Sequence, residues 1–201
     1  MLLRRRMLEV FVALAGGLGL SRLAAAIALP PTPAQTTGPF YPLSLPADAD
    51  KDLTHIAGRE GTITYIAGRV LDRDGRPISG AWVEIWQCDA NGRYHHVRDG
   101  RVGPPPDENF KGYGQTLTDA TGGSRFPTIL PVPYPGRTPH IHFAVSASGF
   151  PRLITQMYVA GEPQNGHDGV LMGVLDPAAC ARLIVLLEPG ALTGTFDIVL
   201  G

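Results

Sequence analysis

His140-Ile141-His142 is the sharpest chemical feature of the chain. In an extended strand alternate side chains share a face. Ile141, Phe143 and Val145 then point one way and His140 and His142 the other. The strand rise puts the two histidine Cα atoms about 6.5–7 Å apart, close enough for both imidazoles to reach one metal ion. A lone His-x-His is equally compatible with two solvated histidines. Just upstream, Pro131-Val-Pro-Tyr134-Pro-Gly-Arg137 places three prolines within five residues. Such a loop is stiff and would hold Tyr134 and Arg137 in fixed positions. Tyr134 reads either as a rim aromatic or as a phenolate ligand. Phenolate is a hard oxygen donor, and beside imidazole it suits a ferric ion better than zinc, which prefers thiolate and imidazole. A phenol with a pKa near 10 ionises at neutral pH only beside strong positive charge.

These residues need elements to carry them. Glycine (25) and proline (19) are plentiful but spread along the chain, which predicts turns between short strands rather than disorder. Strands are predicted over residues 62–71, 81–87, 124–129, 140–147, 153–160 and 195–200, separated by turns such as Asp72-Arg-Asp-Gly75 and Asp89-Ala-Asn-Gly92. Asp176 and Pro177 predict a helix start, with the helix running to about Leu187. Residues 28–46 are too proline-rich for a helix and read as a linker leading into an extended arm. The expected fold class is all-β, a β-sandwich of mostly antiparallel short strands with long loops and one short C-terminal helix.

The first 29 residues differ in kind. Arg4, Arg5 and Arg6 precede an apolar run from Val10 to Leu20 and then small residues at 24–26, which predicts a signal peptide. Arg4-Arg5-Arg6-Met7-Leu8 resembles a twin-arginine signal, so residues 1–29 are expected to be an export segment and residues 30–201 one domain. The expected location is periplasmic; the alternative is a membrane anchor left uncleaved. The apolar run falls short of the roughly 20 residues a bilayer requires, so no stable membrane insertion is expected. Net charge is −1 with 17 % charged residues, which gives no basic stripe for nucleic acid. Cys88 and Cys180 would pair only if their Cα atoms lie within bonding reach; otherwise they are ordinary thiols.

Several segments in order carry a resemblance. They are residues 32–41 (Thr-Pro-Ala-Gln-Thr-Thr-Gly-Pro-Phe-Tyr), 80–95 (from Gly80-Ala-Trp-Val through Gly92-Arg-Tyr94-His95), 112–119, 133–143 and Leu153-Ile-Thr-Gln156-Met-Tyr158. Together they resemble the intradiol ring-cleavage dioxygenases, and above all the catalytic (beta) subunit kind of the protocatechuate branch. The resemblance implies Fe(3+) held by Tyr94, Tyr134, His140 and His142, with Tyr134 the ligand that leaves when substrate binds. It implies catalytic roles for Arg137, which would stabilise charge on the substrate, and for Tyr134 as a base, with Gln156 close to the metal. Substrates would be a catechol-type aromatic and O2. Partners would be a second copy of the chain or a non-catalytic homologous subunit. Gly136 stands where protocatechuate enzymes carry a tryptophan, which predicts a more open pocket. A non-catalytic transthyretin-like carrier sandwich is the competing reading, because Gly68-Arg-Val-Leu-Asp…Gly80-Ala-Trp-Val suits it also. A cupin-like metal site would want a glutamate shortly after the histidines, and 143–149 has none.

Overall fold

In the computed structural model, residues 28–47, 49–188, 190 and 192–201 are described. The expected export segment, residues 1–29, lies outside them except for residues 28 and 29. Among the described residues no helix is long and apolar enough to cross a membrane.

Two sheets face each other. The first sets β1 (Ile63–Leu71) between β4 (Gly123–Ile129) and β8 (Thr193–Thr195), with β9 (Ile198–Val199) pairing farther along β1. The second runs in the order β3 (Tyr113–Leu117), β2 (Trp82–Trp86), β5 (His140–Ser146), β6 (Leu153–Val159), β7 (Ile184–Val185). The long pairings are antiparallel, and the short C-terminal strands add in parallel. This is the expected β-sandwich.

Period-2 alternation decides what each strand buries. Val83 and Ile85 on β2, and Ile141, Phe143 and Val145 on β5, meet Ile66 and Phe126 from the first sheet between the layers. Full burial of such side chains stabilises by roughly 1.5–3 kcal/mol each. The intervening residues Glu84, Trp86, His140, His142 and Ala144 are also buried, on the outer face of the second sheet. A sheet buried on both faces needs a second cover. Here it is the arm at 32–46 together with the loops around Tyr94 and Tyr134, which pack a smaller aromatic cluster over Trp86, Tyr113 and Ala144.

One turn chemistry shapes three loops. Asp72, Asp89 and Asp119 each accept, on one carboxylate oxygen, the backbone N–H groups two and four residues on, with glycine three residues on. Asp side chains mimic backbone turns in this way. The Asp89 loop delivers Tyr94 to the outer face.

The arm is fastened along its length. Thr32 N–H donates to the Val199 carbonyl, Gln35 N–H to the Ile154 carbonyl, and the Thr155 hydroxyl to the Pro33 carbonyl. Farther on, the Tyr41 hydroxyl donates to Glu84 at 2.5 Å. Glu84 is 4 % exposed and also accepts from Tyr113 (2.8 Å) and Arg152 (2.8 Å). Glu84→Ala would strand two phenols and release the arm's end. A loss of about 2–4 kcal/mol is expected, read from denaturant unfolding, with Glu84→Gln losing less.

Two sequence expectations need correction, and the cysteine alternative left open is decided. The helix α1 covers only Pro177–Ala181, capped by Asp176 onto the Ala178 N–H. It does not reach Leu187, because Ile184 and Val185 pair with Tyr158 and Val159 as β7. The last expected strand is two short ones, β8 and β9, broken at Phe196-Asp197. Cys88 and Cys180 are both free thiols.

Candidate metal centre

The outer face of the second sheet builds the site's floor. Cross-strand register sets Tyr113, Trp86, His142 and Gln156 side by side across four strands. Trp86 and His142 stack at 4.8 Å between centroids and 7° between planes, which fixes the imidazole. His140, one step along β5, lies 4.9 Å from His142 by centroids. Its Nδ1 donates to the Thr138 carbonyl at 2.6 Å, which leaves the Nε2 lone pair directed at the Tyr134 hydroxyl, 3.5 Å away. Burial first, and then the Arg137 charge, push its pKa down to about 4, so the imidazole stays neutral as a metal ligand must.

Two loops bring the phenols. Tyr134-Pro-Gly-Arg137 is a tight turn closed by the Arg137 N–H on the Tyr134 carbonyl (2.9 Å). Gly136 sits at its third position with φ +81°, where glycine is favoured. Gly136 is exposed, and nothing lies within 4 Å of the position its Cβ would take. Tyr94 arrives from the opposite side, with its ring 5.9 Å from that of Tyr134. Burial raises both phenols above their usual pKa, Tyr94 far above it. Even with Arg137 beside Tyr134, both favour the protonated form.

The structure brings together five of the residues singled out in the sequence, Tyr94, Tyr134, Arg137, His140 and His142. Gln156 joins them in a supporting position. It is fully buried, its Nε2 donates to the Thr36 carbonyl of the arm, and its Oε1 accepts from Arg137 Nη2 at 2.5 Å. With both ends engaged, it links the arm to Arg137. Gly38 of the arm passes so close that a Cβ there would meet His142 Cε1 at 3.2 Å.

Sequence reasoning missed two acids and an arginine. Asp168 is 1 % exposed; it accepts from Arg137 Nε (2.8 Å) and from the backbone N–H groups of Thr138, Val170 and Leu171. Burial works against its charge, but the Leu171 N–H and the Arg137 guanidinium outweigh it and hold the carboxyl below its usual range. Asp99, with no side-chain exposure, accepts the Tyr94 N–H at 2.7 Å and pairs with Arg101. The Arg101 guanidinium lies over the Tyr134 ring at 4.8 Å, a cation–π contact. Nothing in the residues around Asp168 marks it out; Asp99-Gly-Arg101, close after Tyr94, is the one local signal.

Among the described residues no three His, Cys, Asp or Glu side chains form a metal cluster. The convergent set is two phenols and two imidazoles. The Tyr94 hydroxyl and His142 Nδ1 are buried without a hydrogen-bond partner. Buried polar groups ordinarily have one. A donor set of hard phenol oxygens and borderline imidazoles with unmet bonding capacity fits a ferric ion.

Known proteins point the same way. A family model described as dioxygenase matches residues 36–200. The β chain of protocatechuate 3,4-dioxygenase from Burkholderia cepacia is 41 % identical over 169 residues, which cover 75 % of this chain and 71 % of that one. Hydroxyquinol 1,2-dioxygenase from Rhodococcus opacus is 32 % identical over 84 % of this chain, which spans 61 % of that enzyme. The dioxygenase domain of a dioxygenase–carbohydrate-binding fusion from Streptomyces sp. SirexAA-E superposes with a TM-score of 0.69 at 33 % identity, over 85 % of this chain and 98 % of that one. With its β-sandwich and its outer-face cluster of tyrosines and histidines, the chain belongs to the intradiol ring-cleavage dioxygenase family.

Proposed function

We propose that the protein is a non-haem Fe(3+) enzyme that opens catechol-type rings with O2. Both oxygen atoms would enter between the two hydroxyl-bearing carbons, giving a cis,cis-muconate-type dicarboxylate. The observation that carries this reading is the convergence of two phenols and two imidazoles, two of whose buried polar atoms lack partners. Tyr94, Tyr134, His140 and His142 would hold the ion. A bound ferric ion would supply the charge that ionises the phenols and would draw electron density from a chelated diol, opening the ring to O2.

The two phenols have different work. Tyr94 is buried and its backbone is fastened to Asp99, so it stays in place. Tyr134 is half-buried on a turn at the exposed side, and its oxygen lies 3.5 Å from Arg137 Nη1. As a phenolate it would take a proton from one catechol hydroxyl, acting as general base. Arg137, aimed by Asp168 and Gln156, would then face the negative charge that develops on the substrate. The arm over His142 limits water on that side.

Colour is the first test. The iron-loaded protein should be burgundy, with a broad visible band that shifts when a catechol is added. Stoichiometric iron in a colourless protein would sink the tyrosinate assignment. Export by the twin-arginine route belongs to the same proposal. Replacing Arg4 and Arg5 with lysine should hold the protein in the cytoplasm, and unchanged export would refute that route.

A further inference from the structure

Tyr134 is the proposed ligand that gives up its place to substrate, so whatever holds its ring sets how readily it leaves. The hydroxyl end is held weakly. It lies 3.5 Å from both His140 Nε2 and Arg137 Nη1, too far for strong hydrogen bonds. The rings of Tyr94 and Phe40 meet the Tyr134 ring edge-on, at 5.9 and 6.3 Å between centroids. A cavity of about 360 Å3 lies between Tyr134-Pro135 and residues 101–104, so the outer side of the turn is only partly packed. Among the described residues Arg101 is the one cation laid over the face of this ring, 4.8 Å from its centroid.

Arg101 is fixed from behind. Its Nε donates to Asp99 Oδ1 at 2.7 Å and its Nη2 to the Gly92 carbonyl at 2.7 Å. Asp99 has no side-chain exposure, and it also takes the Tyr94 N–H. Gly92 in turn abuts the Tyr134 turn: a Cβ there would lie 3.2 Å from the Pro133 carbonyl oxygen and 3.4 Å from Tyr134 Cβ. The guanidinium is therefore a platform tied to two loops, and it cannot follow a ring that swings away. A cation–π contact of a side chain 26 % exposed shifts such an equilibrium about three- to tenfold.

We propose that Arg101 is a positioning residue, a latch that holds the Tyr134 ring in its seated place and thereby raises the concentration of catechol needed to displace it. The inference rests on the iron reading above and adds to it what sets the mobility of one ligand. Arg101 exchanges no proton and acts only through Tyr134. The same Asp99 carboxylate that anchors the latch fastens the backbone of Tyr94, so one buried acid steadies the phenol that stays and restrains the phenol that moves.

Titration of the iron-loaded full chain with catechol, followed by the visible band, tests the latch. Arg101→Met should tighten the apparent Kd about three- to tenfold while iron content stays the same. Arg101→Lys keeps a counter-charge for Asp99 without the flat group over the ring; it should shift Kd in the same direction at less cost in stability. In a Tyr134→Phe background no ligand oxygen has to be displaced, and Arg101→Met should then change Kd by less than about twofold. Weaker catechol binding in both Arg101 variants would mean that the residue only steadies its loop, and it overturns the proposal. So does an effect of equal size with and without the Tyr134 hydroxyl. A normal response of the unaltered protein with unchanged affinity in both variants sinks the latch alone. An unaltered protein that holds iron but shows no tyrosinate band, or whose band ignores catechol, fails the iron reading itself and takes the latch with it.

Discussion

His142→Ala should give a folded protein that binds no iron stoichiometrically, is colourless, and turns over catechols at least about a thousandfold more slowly. Metal catalysis supplies several kcal/mol, and each 1.36 kcal/mol is a factor of ten. The imidazole is also packed flat on Trp86. Its loss should therefore lower stability by about 2–4 kcal/mol, a cost that thermal unfolding separates from the loss of metal. Tyr134→Phe should behave differently. Its side chain is half-buried on a surface turn, and a water molecule could take the place of its oxygen. Iron should remain, while kcat/KM falls by about 10²–10⁴ through loss of the general base. Iron analysis and a visible spectrum on both variants decide the matter. If Tyr134→Phe loses iron as completely as His142→Ala, the unequal roles of the ligands are wrong.

The second large effect belongs to Asp168, a residue that never touches the proposed substrate. Arg137 has a side-chain exposure of 13 % and depends on this carboxylate for its charge balance. Asp168→Asn would leave a mostly buried guanidinium without a counter-charge, at a cost of about 3–5 kcal/mol. For a chain of this length that is a fall in Tm of about 6–20 °C. Turnover should fall about a hundredfold as well, since small misplacements of a catalytic group have effects of that order. Arg137→Met makes the contrast. It should lower turnover by about 10²–10³ but cost less stability, because Asp168 keeps three backbone N–H donors. A similar loss of stability in both variants would mean that the pair is structural and that Arg137 has no special role in turnover.

The parts of this molecule that obey local rules were legible from the sequence. His140 and His142 lie on the face opposite Ile141, Phe143 and Val145, because period-2 alternation leaves no other choice. The stiff loop read from Pro131, Pro133 and Pro135 does hold Tyr134 and Arg137, in a turn with Gly136 at its third position. Tertiary contacts override the local signal elsewhere. The β3 strand was not predicted, because Gly112 and Gly114 weaken a strand pattern. At Gly114 a Cβ would lie 2.4 Å from Leu53 Cδ1, so packing of the 50–53 segment requires the glycine. The helix after Asp176 was read too long because Ile184 and Val185 find a neighbour in β6 that a linear reading does not supply. Asp168 lies 31 residues from Arg137, and only the fold brings the two together. Gln156 was placed near the metal by resemblance, and its bonds to Thr36 and Arg137 give it a supporting part.

The clamped arm also bears on how the chain is made. The bonds from Pro33, Gln35 and Thr36 to β6 span 120 to 123 residues. Contacts of such range form late, after the chain between them has found its shape. On the ribosome, Gly38 and Phe40 emerge before Tyr94, and Gln156 and Asp168 emerge long after both. A growing chain therefore has the cover of the site well before it has the strand that fastens the cover or the acid that aims Arg137. The last tenth or so of the chain then supplies β7, β8 and β9, which complete the edges of both sheets. Capture of the proposed metal ion would thus be an event for the finished polypeptide, and a chain cut short before Asp168 would carry all four proposed ligands without the framework that holds them together.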